Sequence, residues 1–297
     1  MLLLSGAIPI RDLPLLFGKI TLTEHGVAVD GQILDVDRGT PAMMMVTCLV
    51  CQELGLDNPV ALVAGDIGTK GGSMKIYEYL IENISQIKVD VLSLHYIMPD
   101  MKSNQKLVEK IRSINKKPVL IADAGSMYVA KAGGDATDFD VFTPDLGETA
   151  FLADEKADHP MYTRGFIFHL EEDVPELIKR AYATGNAART MFVKGAVDYI
   201  CHDGKIVEQI SRPNVEALEP VGGTGDTITG LISGLIYGGR LPVEACRIAA
   251  RVNRRAGELS YPTPATQIKD IIKFIPTALR EVLQTMEHDT LSIQGLK

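Results

Sequence analysis

Runs of near-continuous apolar residues that alternate with helical patterns constrain this chain more than any other feature. Val60-Ala61-Leu62-Val63-Ala64 precedes a helical pattern across about 72–85, and Val89-Asp90-Val91-Leu92-Ser93-Leu94 precedes one across about 104–115. Pro118-Val119-Leu120-Ile121-Ala122-Asp123 and Asp140-Val141-Phe142-Thr143-Pro144 read as a third and fourth strand. A strand that is apolar at successive positions has both faces covered, and parallel neighbours are joined by crossover helices. The expected fold is therefore α/β: three layers, α/β/α, around a mostly parallel central sheet.

The flanking segments complete this frame. Residues 19–37 alternate in two short runs around Asp30-Gly31, a hairpin signal. A helix follows across 40–54, stopped by Gly55. Thr190–Lys194 and Val197–Cys201 flank Gly195-Ala196, and Asp203-Gly204 offers another hairpin turn. The C-terminal third reads as helices across about 224–237, 243–259 and 266–286. Without an internal repeat or a Pro/Ser linker, residues 1–297 are expected to form one domain. Ligands of open parallel sheets gather beyond the carboxyl ends of the strands. Asp66, His95, Asp123, Asp145, Glu148 and Lys194 are expected there.

Charge and apolar runs narrow the partners. Thirty basic against 38 acidic side chains give a net charge of −8, which argues against nucleic acid or an anionic membrane. No apolar run approaches the roughly 18 residues needed to span a bilayer. The opening Met1-Leu2-Leu3-Leu4-Ser5-Gly6 lacks a basic leader region, so a cytoplasmic location is expected. Cys48 and Cys51 form a Cys-x-x-Cys pair, but inside an apolar helical run and without histidine neighbours, so packing is their expected role. The six histidines show no helical metal spacing; His95, after an apolar strand, is a candidate pocket residue.

The chemistry is expected at Pro220–Gly230. Gly222, Gly223, Thr224 and Gly225 precede Asp226, and Ile228, Leu231, Ile232, Leu235 and Ile236 then recur on one helical face. The glycines thus stand at a helix N-terminus, where unpaired N–H groups and the macrodipole favour an anion, and where a phosphate meets no Cβ. Asp226, in the first turn, is placed to take a proton from a hydroxyl. Gly230 and Gly234, costly inside a helix, imply close packing against a neighbour. Two other glycine patterns fail. Gly68-Thr69-Lys70-Gly71-Gly72-Ser73 lacks the residue order of a P-loop and reads as a mobile or capping loop; Gly222–Gly230 does not fit the dinucleotide pattern.

Several motifs in order resemble the ribokinase superfamily, most closely its ATP- or ADP-dependent NAD(P)H-hydrate dehydratases. They are Ile121-Ala122-Asp123-Ala124-Gly125, Phe142-Thr143-Pro144-Asp145-Leu146-Gly147-Glu148, Phe192-Val193-Lys194-Gly195-Ala196, Gly222–Asp226 and Arg255-Ala256-Gly257 with Pro264–Gln267. The resemblance runs from about 88 to 286. It implies that Asp226 is the base on the attacking hydroxyl and that Gly223, Thr224 and Gly225 hold the transferring phosphoryl group. It implies Lys194, Gly195, Gly222, Asn253 and Asp123 on the nucleotide side, and Glu148 with Asp145 acting on Mg2+ through water. His95 and Asp145 fall on the acceptor side. The expected partners are ATP or ADP, Mg2+ and a small-molecule acceptor, and a homo-oligomer is expected by resemblance. The chain departs from the family where His95-Tyr96-Ile97-Met98-Pro99 replaces the usual Gly-Pro-Gly, and where Asp145 replaces a histidine. The expected activity is that of a hydrate dehydratase; a sugar or vitamin-precursor kinase, and a nucleotide-binding protein without turnover, are the alternatives.

Overall fold

In a computed structural model, residues 1–24, 26–157 and 173–294 are described, with side chains to 286. The strands are β1 (Leu2–Ile8), β2 (Leu16–Leu22), β3 (Gly26–Val29), β4 (Gln32–Asp35), β5 (Val60–Gly65), β6 (Val91–His95), β7 (Val119–Ala122), β8 (Val141–Phe142), β9 (Thr190–Val193), β10 (Asp198–His202) and β11 (Lys205–Ile210). The described helices are α1 (Thr40–Glu53), α2 (Gly71–Asn83), α3 (Met101–Arg112), α4 (Gly125–Gly133), α5 (Leu146–Ala153), α6 (Val174–Ala183), α7 (Thr224–Tyr237), α8 (Pro242–Leu259), α9 (Ile268–Ile272) and α10 (Ile275–Gln294).

The strands form one sheet in the order β11-β10-β9-β8-β7-β6-β1-β5-β2-β3-β4. Strands β9, β8, β7, β6, β1 and β5 run parallel. The antiparallel β10–β11 hairpin closes one edge, and β2–β3–β4 extends the other. The expected Asp30-Gly31 hairpin joins β3 to β4, and Asp203-Gly204 joins β10 to β11. Central strands are buried on both sides because alternate residues enter different cores. Leu2 and Leu4 join one core with side chains of α1, α7, α8 and α10; Leu3 joins the other with side chains of α2, α3, α5 and α6. This is the three-layer α/β/α fold.

Helices α1 and α7 pack unusually closely. A Cβ on Gly230 would lie 2.6 Å from the Met43 carbonyl oxygen, and one on Gly234 would lie 2.7 Å from Val50 Cγ1. Thr47 Oγ1 bridges the pair, its one proton shared between the carbonyl oxygens of Met43 (2.8 Å) and Gly230 (3.1 Å). The small residues thus bring the start of α1 beside the start of α7. Cys48 and Cys51 are fully buried in that layer, and burial pushes the Cys51 thiol up to about 12, as inert packing groups. No described helix is long and apolar enough to cross a membrane.

Candidate active site

The strand order turns back between β1 and β6: β1 connects toward β5, while β5 connects to β6 on the far side of β1. Such a turn-back point opens a crevice at the carboxyl ends of the strands. His95 ends β6, Asp123 follows β7 and Lys194 follows β9. The start of α7 lies across this edge. Asp123, Lys194 and the start of α7 line a cavity of about 790 Å³ together with Tyr96, Glu148 and Asn253.

Gly223 caps α7 with φ of 103°, a backbone region costly for side-chain-bearing residues, and a Cβ there would strike Ile268 at 2.9 Å. The first-turn N–H groups of α7 have no intrahelical acceptors. Lys194 supplies a cation beside them: a Cβ built on Gly225 would lie 3.3 Å from its Nζ. That ammonium donates to both oxygens of Asp123, at 3.1 and 3.3 Å. Thr229 Oγ1 and the Ala124 N–H also donate to Asp123, at 2.7 and 2.8 Å. Burial pushes the Asp123 carboxyl up, but Lys194, His95 and Thr229 outweigh it and hold the group below its ordinary range.

Asp226, in the first turn of α7, is 6% exposed. Its Oδ2 accepts from the Gly39 N–H at 2.5 Å, and its Oδ1 lies 3.2 Å from His95 Nε2. Gly39 immediately precedes α1, so the α1–α7 contact also sets the position of this carboxylate. His95, expected on the acceptor side, is instead fully buried behind Asp226 and lies outside the cavity lining. The adjacent Tyr96 takes the exposed position, at 50%, with φ of 54°.

Asp145 and Glu148 are joined by a reciprocal cap on α5: Glu148 N donates to Asp145 Oδ1 at 2.7 Å, and Asp145 N donates to Glu148 Oε2 at 2.8 Å. Tyr128 donates to Glu148 Oε1 at 2.7 Å. Burial, reinforced by the charges of Asp123 and Asp145 and opposed by Lys194, pushes the Glu148 carboxyl from 4.5 up to about 7. Asn253, expected near the base of the nucleotide, also braces α7: it accepts from Thr227 Oγ1 at 2.6 Å and donates to the Thr224 carbonyl at 3.2 Å. Gly195 N donates to Asp198, which pairs with Arg254 Nε at 2.7 Å. Gly222, expected on the nucleotide side, is exposed beside Arg38 and is not among the residues that line the cavity.

Sequence reasoning missed Gly39, Tyr96, Tyr128 and Arg254. Gly39-Thr40-Pro41 marks a helix start, but nothing local shows that its N–H meets a side chain 187 residues away. Arg254 anchors the loop after β9 through the Gly195 and Ala196 carbonyls, both at 3.0 Å, yet in sequence it is indistinguishable from Arg255. Asp66, placed with the polar strand ends, is consumed by its own loop: it accepts from the N–H groups of Gly68, Thr69, Lys70 and Ser73, so 68–73 is a cap for α2.

Residues 82–277 match the family model Carb_kinase, described as NAD(P)H-hydrate dehydratase. An uncharacterized protein of Methanocaldococcus jannaschii is 44% identical over 224 residues, covering 75% of this chain and 92% of its own. A bifunctional NAD(P)H-hydrate repair enzyme of Hyperthermus butylicus is 23% identical over 220 residues, covering 72% of this chain but only 39% of its own length. The chain therefore spans about four tenths of that relative. Among solved structures, an ADP/ATP-dependent NAD(P)H-hydrate dehydratase of Bacillus subtilis, crystallized with ATP and Mg2+, superposes with a TM-score of 0.58 at 16% identity, over 94% of this chain and 89% of its own. A ribokinase-like protein of Enterococcus faecalis gives 0.55 at 16% identity, over 94% and 86%.

Proposed function

Because the chain belongs to the Carb_kinase, or NAD(P)H-hydrate dehydratase, family, we propose that it moves a phosphoryl group from ATP or ADP onto the hydroxyl of a small molecule, with hydrated NAD(P)H the first acceptor. One observation carries the reading. The Lys194 ammonium lies against Gly225, at the mouth of the α7 N-terminus, with the Asp226 carboxylate one residue further on. A cation, a row of unpaired N–H groups and an anionic base are the parts phosphoryl transfer needs, since its catalysis is mainly positioning and charge neutralisation.

Asp226 takes the proton of the acceptor hydroxyl as its oxygen bonds to phosphorus, and the bond from phosphorus to the departing nucleotide breaks. The N–H groups of Gly223, Thr224 and Gly225 hold the equatorial phosphoryl oxygens. Lys194 balances their charge, while Asp123 fixes Lys194 in place. On hydrated NAD(P)H, later loss of the phosphate regenerates the dihydronicotinamide. Glu148 and Asp145 keep lone pairs after their mutual cap and fit a magnesium ion held through water; bound there, magnesium would neutralise phosphate charge. The nucleotide would lie toward Gly195, Gly222 and Asn253.

A second reading is favoured by the end of β6. A buried histidine and an exposed tyrosine replace the family's usual glycine-rich stretch, which suits a kinase for another hydroxylated acceptor. Hydrated NADH incubated with ATP or ADP and Mg2+ separates the two. Recovery of dihydronicotinamide absorbance supports the dehydratase. A phosphorylated product from a sugar or vitamin panel, without recovery, supports the kinase. Nucleotide binding with neither product leaves a binding protein.

A further inference from the structure

His95 has no exposure, and the hydrogen bonds around it fix which ring nitrogen does what. Thr40 Oγ1 lies 2.8 Å from the Ala7 carbonyl, to which it gives its only proton. The same oxygen is 3.2 Å from His95 Nδ1, so here it accepts, and Nδ1 carries a hydrogen. Nε2 lies 3.2 Å from Asp226 Oδ1 and 3.6 Å from Asp123 Oδ2; it sits between the two carboxylates rather than aligned on either, and is a buried nitrogen without a hydrogen-bond partner among the described residues. A lone pair in that position would face only negative oxygens. The backbone is pinned as well, because a Cβ on Gly6 would lie 2.5 Å from the His95 carbonyl oxygen.

We propose that His95 is a positioning residue for the base, its Nε2–H spanning Asp226 and Asp123 while the Gly39 N–H fixes the other Asp226 oxygen. The inference rests on reading Asp226 as the base. The three ligand atoms lie within 4.8 Å of one another and form a geometry open to a metal ion. The Lys194 ammonium on Asp123, however, disfavours a dication and favours a proton. The ring does not export protons either: its outer nitrogen ends on Thr40, whose hydrogen is committed to Ala7. His95 therefore orients Asp226 rather than relaying from it.

Two measurements test this. Once an acceptor is turned over, His95→Leu is expected to lower kcat about 100-fold, the cost of misplacing a catalytic group by about 1 Å, with the nucleotide KM within about twofold. His95→Gln, whose amide N–H reaches toward the same oxygen, is expected to recover at least tenfold of that loss. Near-normal kcat in the leucine variant, a matching rise in KM, or glutamine no better than leucine would overturn the proposal. Long-range 15N–1H correlation of the six histidine rings needs no turnover and reads the wild-type protein. It is expected to show Nε2 of His95 protonated, displaced by Asp226→Asn, with Nδ1 displaced by Thr40→Val. An unprotonated Nε2, an Nε2 signal indifferent to Asp226→Asn, or one equivalent of tightly bound zinc would sink the idea. If the enzyme turns over nothing, the proposed reaction fails while this spectrum still decides the role of His95.

Discussion

Replacing Gly230 by alanine probes the contact that brings the base to its place. In an isolated helix the change would stabilise by about 1 kcal/mol, the usual difference between the two residues. Here the new methyl would lie 2.6 Å from the Met43 carbonyl oxygen, 3.1 Å from Val46 Cβ and 3.2 Å from Thr47 Oγ1. Two of these three neighbours sit on or next to the rigid backbone of α1, so the helices must separate. Overpacking of this kind costs about 1–3 kcal/mol. Taking the upper part of that range for a carbonyl clash, the net loss is about 1–2 kcal/mol, or about 2–4 °C in Tm at roughly 2 °C per kcal/mol for a chain this long. Because Gly39 rides on α1 and Asp226 on α7, turnover should fall more steeply than stability. Thermal unfolding and initial rates, measured together, check both parts. Gly71→Ala is the control: its Cβ would meet only Thr69 Oγ1, at 3.9 Å, at the start of α2. It should hold or raise Tm. A Gly230→Ala protein as stable as that control, with normal turnover, would refute the reasoning.

Lys194→Met should destabilise by about 3–5 kcal/mol, since it leaves Asp123 buried without its cation. It should also remove the thermal shift given by ATP with Mg2+, which for wild type at a hundred times Kd corresponds to about 2.7 kcal/mol. Glu148 gives a pH signature. Its folded carboxyl titrates near 7 rather than 4.5, so its contribution is fully present below pH 4.5 and is lost as pH rises through 7. The stability difference between wild type and Glu148→Gln should therefore fall across that window in chemical denaturation; a flat difference would contradict the burial of this carboxyl.

Much of the frame was legible because periodicity reports burial. β5, β6 and β7 and the α7 boundaries follow from apolar runs and glycine punctuation, and strand ends mark where polar groups converge. β1 was not legible as the centre of the sheet. Leu2–Ile8 is as apolar as a leader segment, and only its partners β5 and β6, far along the chain, make it a strand. The short helices α4 and α5 are hidden for a similar reason: they carry loop-like glycines and few turns, and the core holds them; α6 has a legible pattern, with Val174, Leu177, Ile178 and Ala181 on one face. Within the site, Asp226, Lys194 and the glycines were legible from residue type and order. The placement of His95 was not, since a histidine ending an apolar strand can face cavity or core, and here Thr40 and two carboxylates draw it inward. Tyr96 takes the outward position through a left-handed backbone that no sequence pattern announces.

The central claim is that the α7 N-terminus is where a phosphoryl group changes partner, with Asp226 as the base. Asp226→Asn measured for both nucleotide affinity and product formation tests it most directly. The expected result is ATP–Mg2+ affinity within a few-fold of wild type and turnover lower by at least about 100-fold. Turnover close to wild type would contradict the claim.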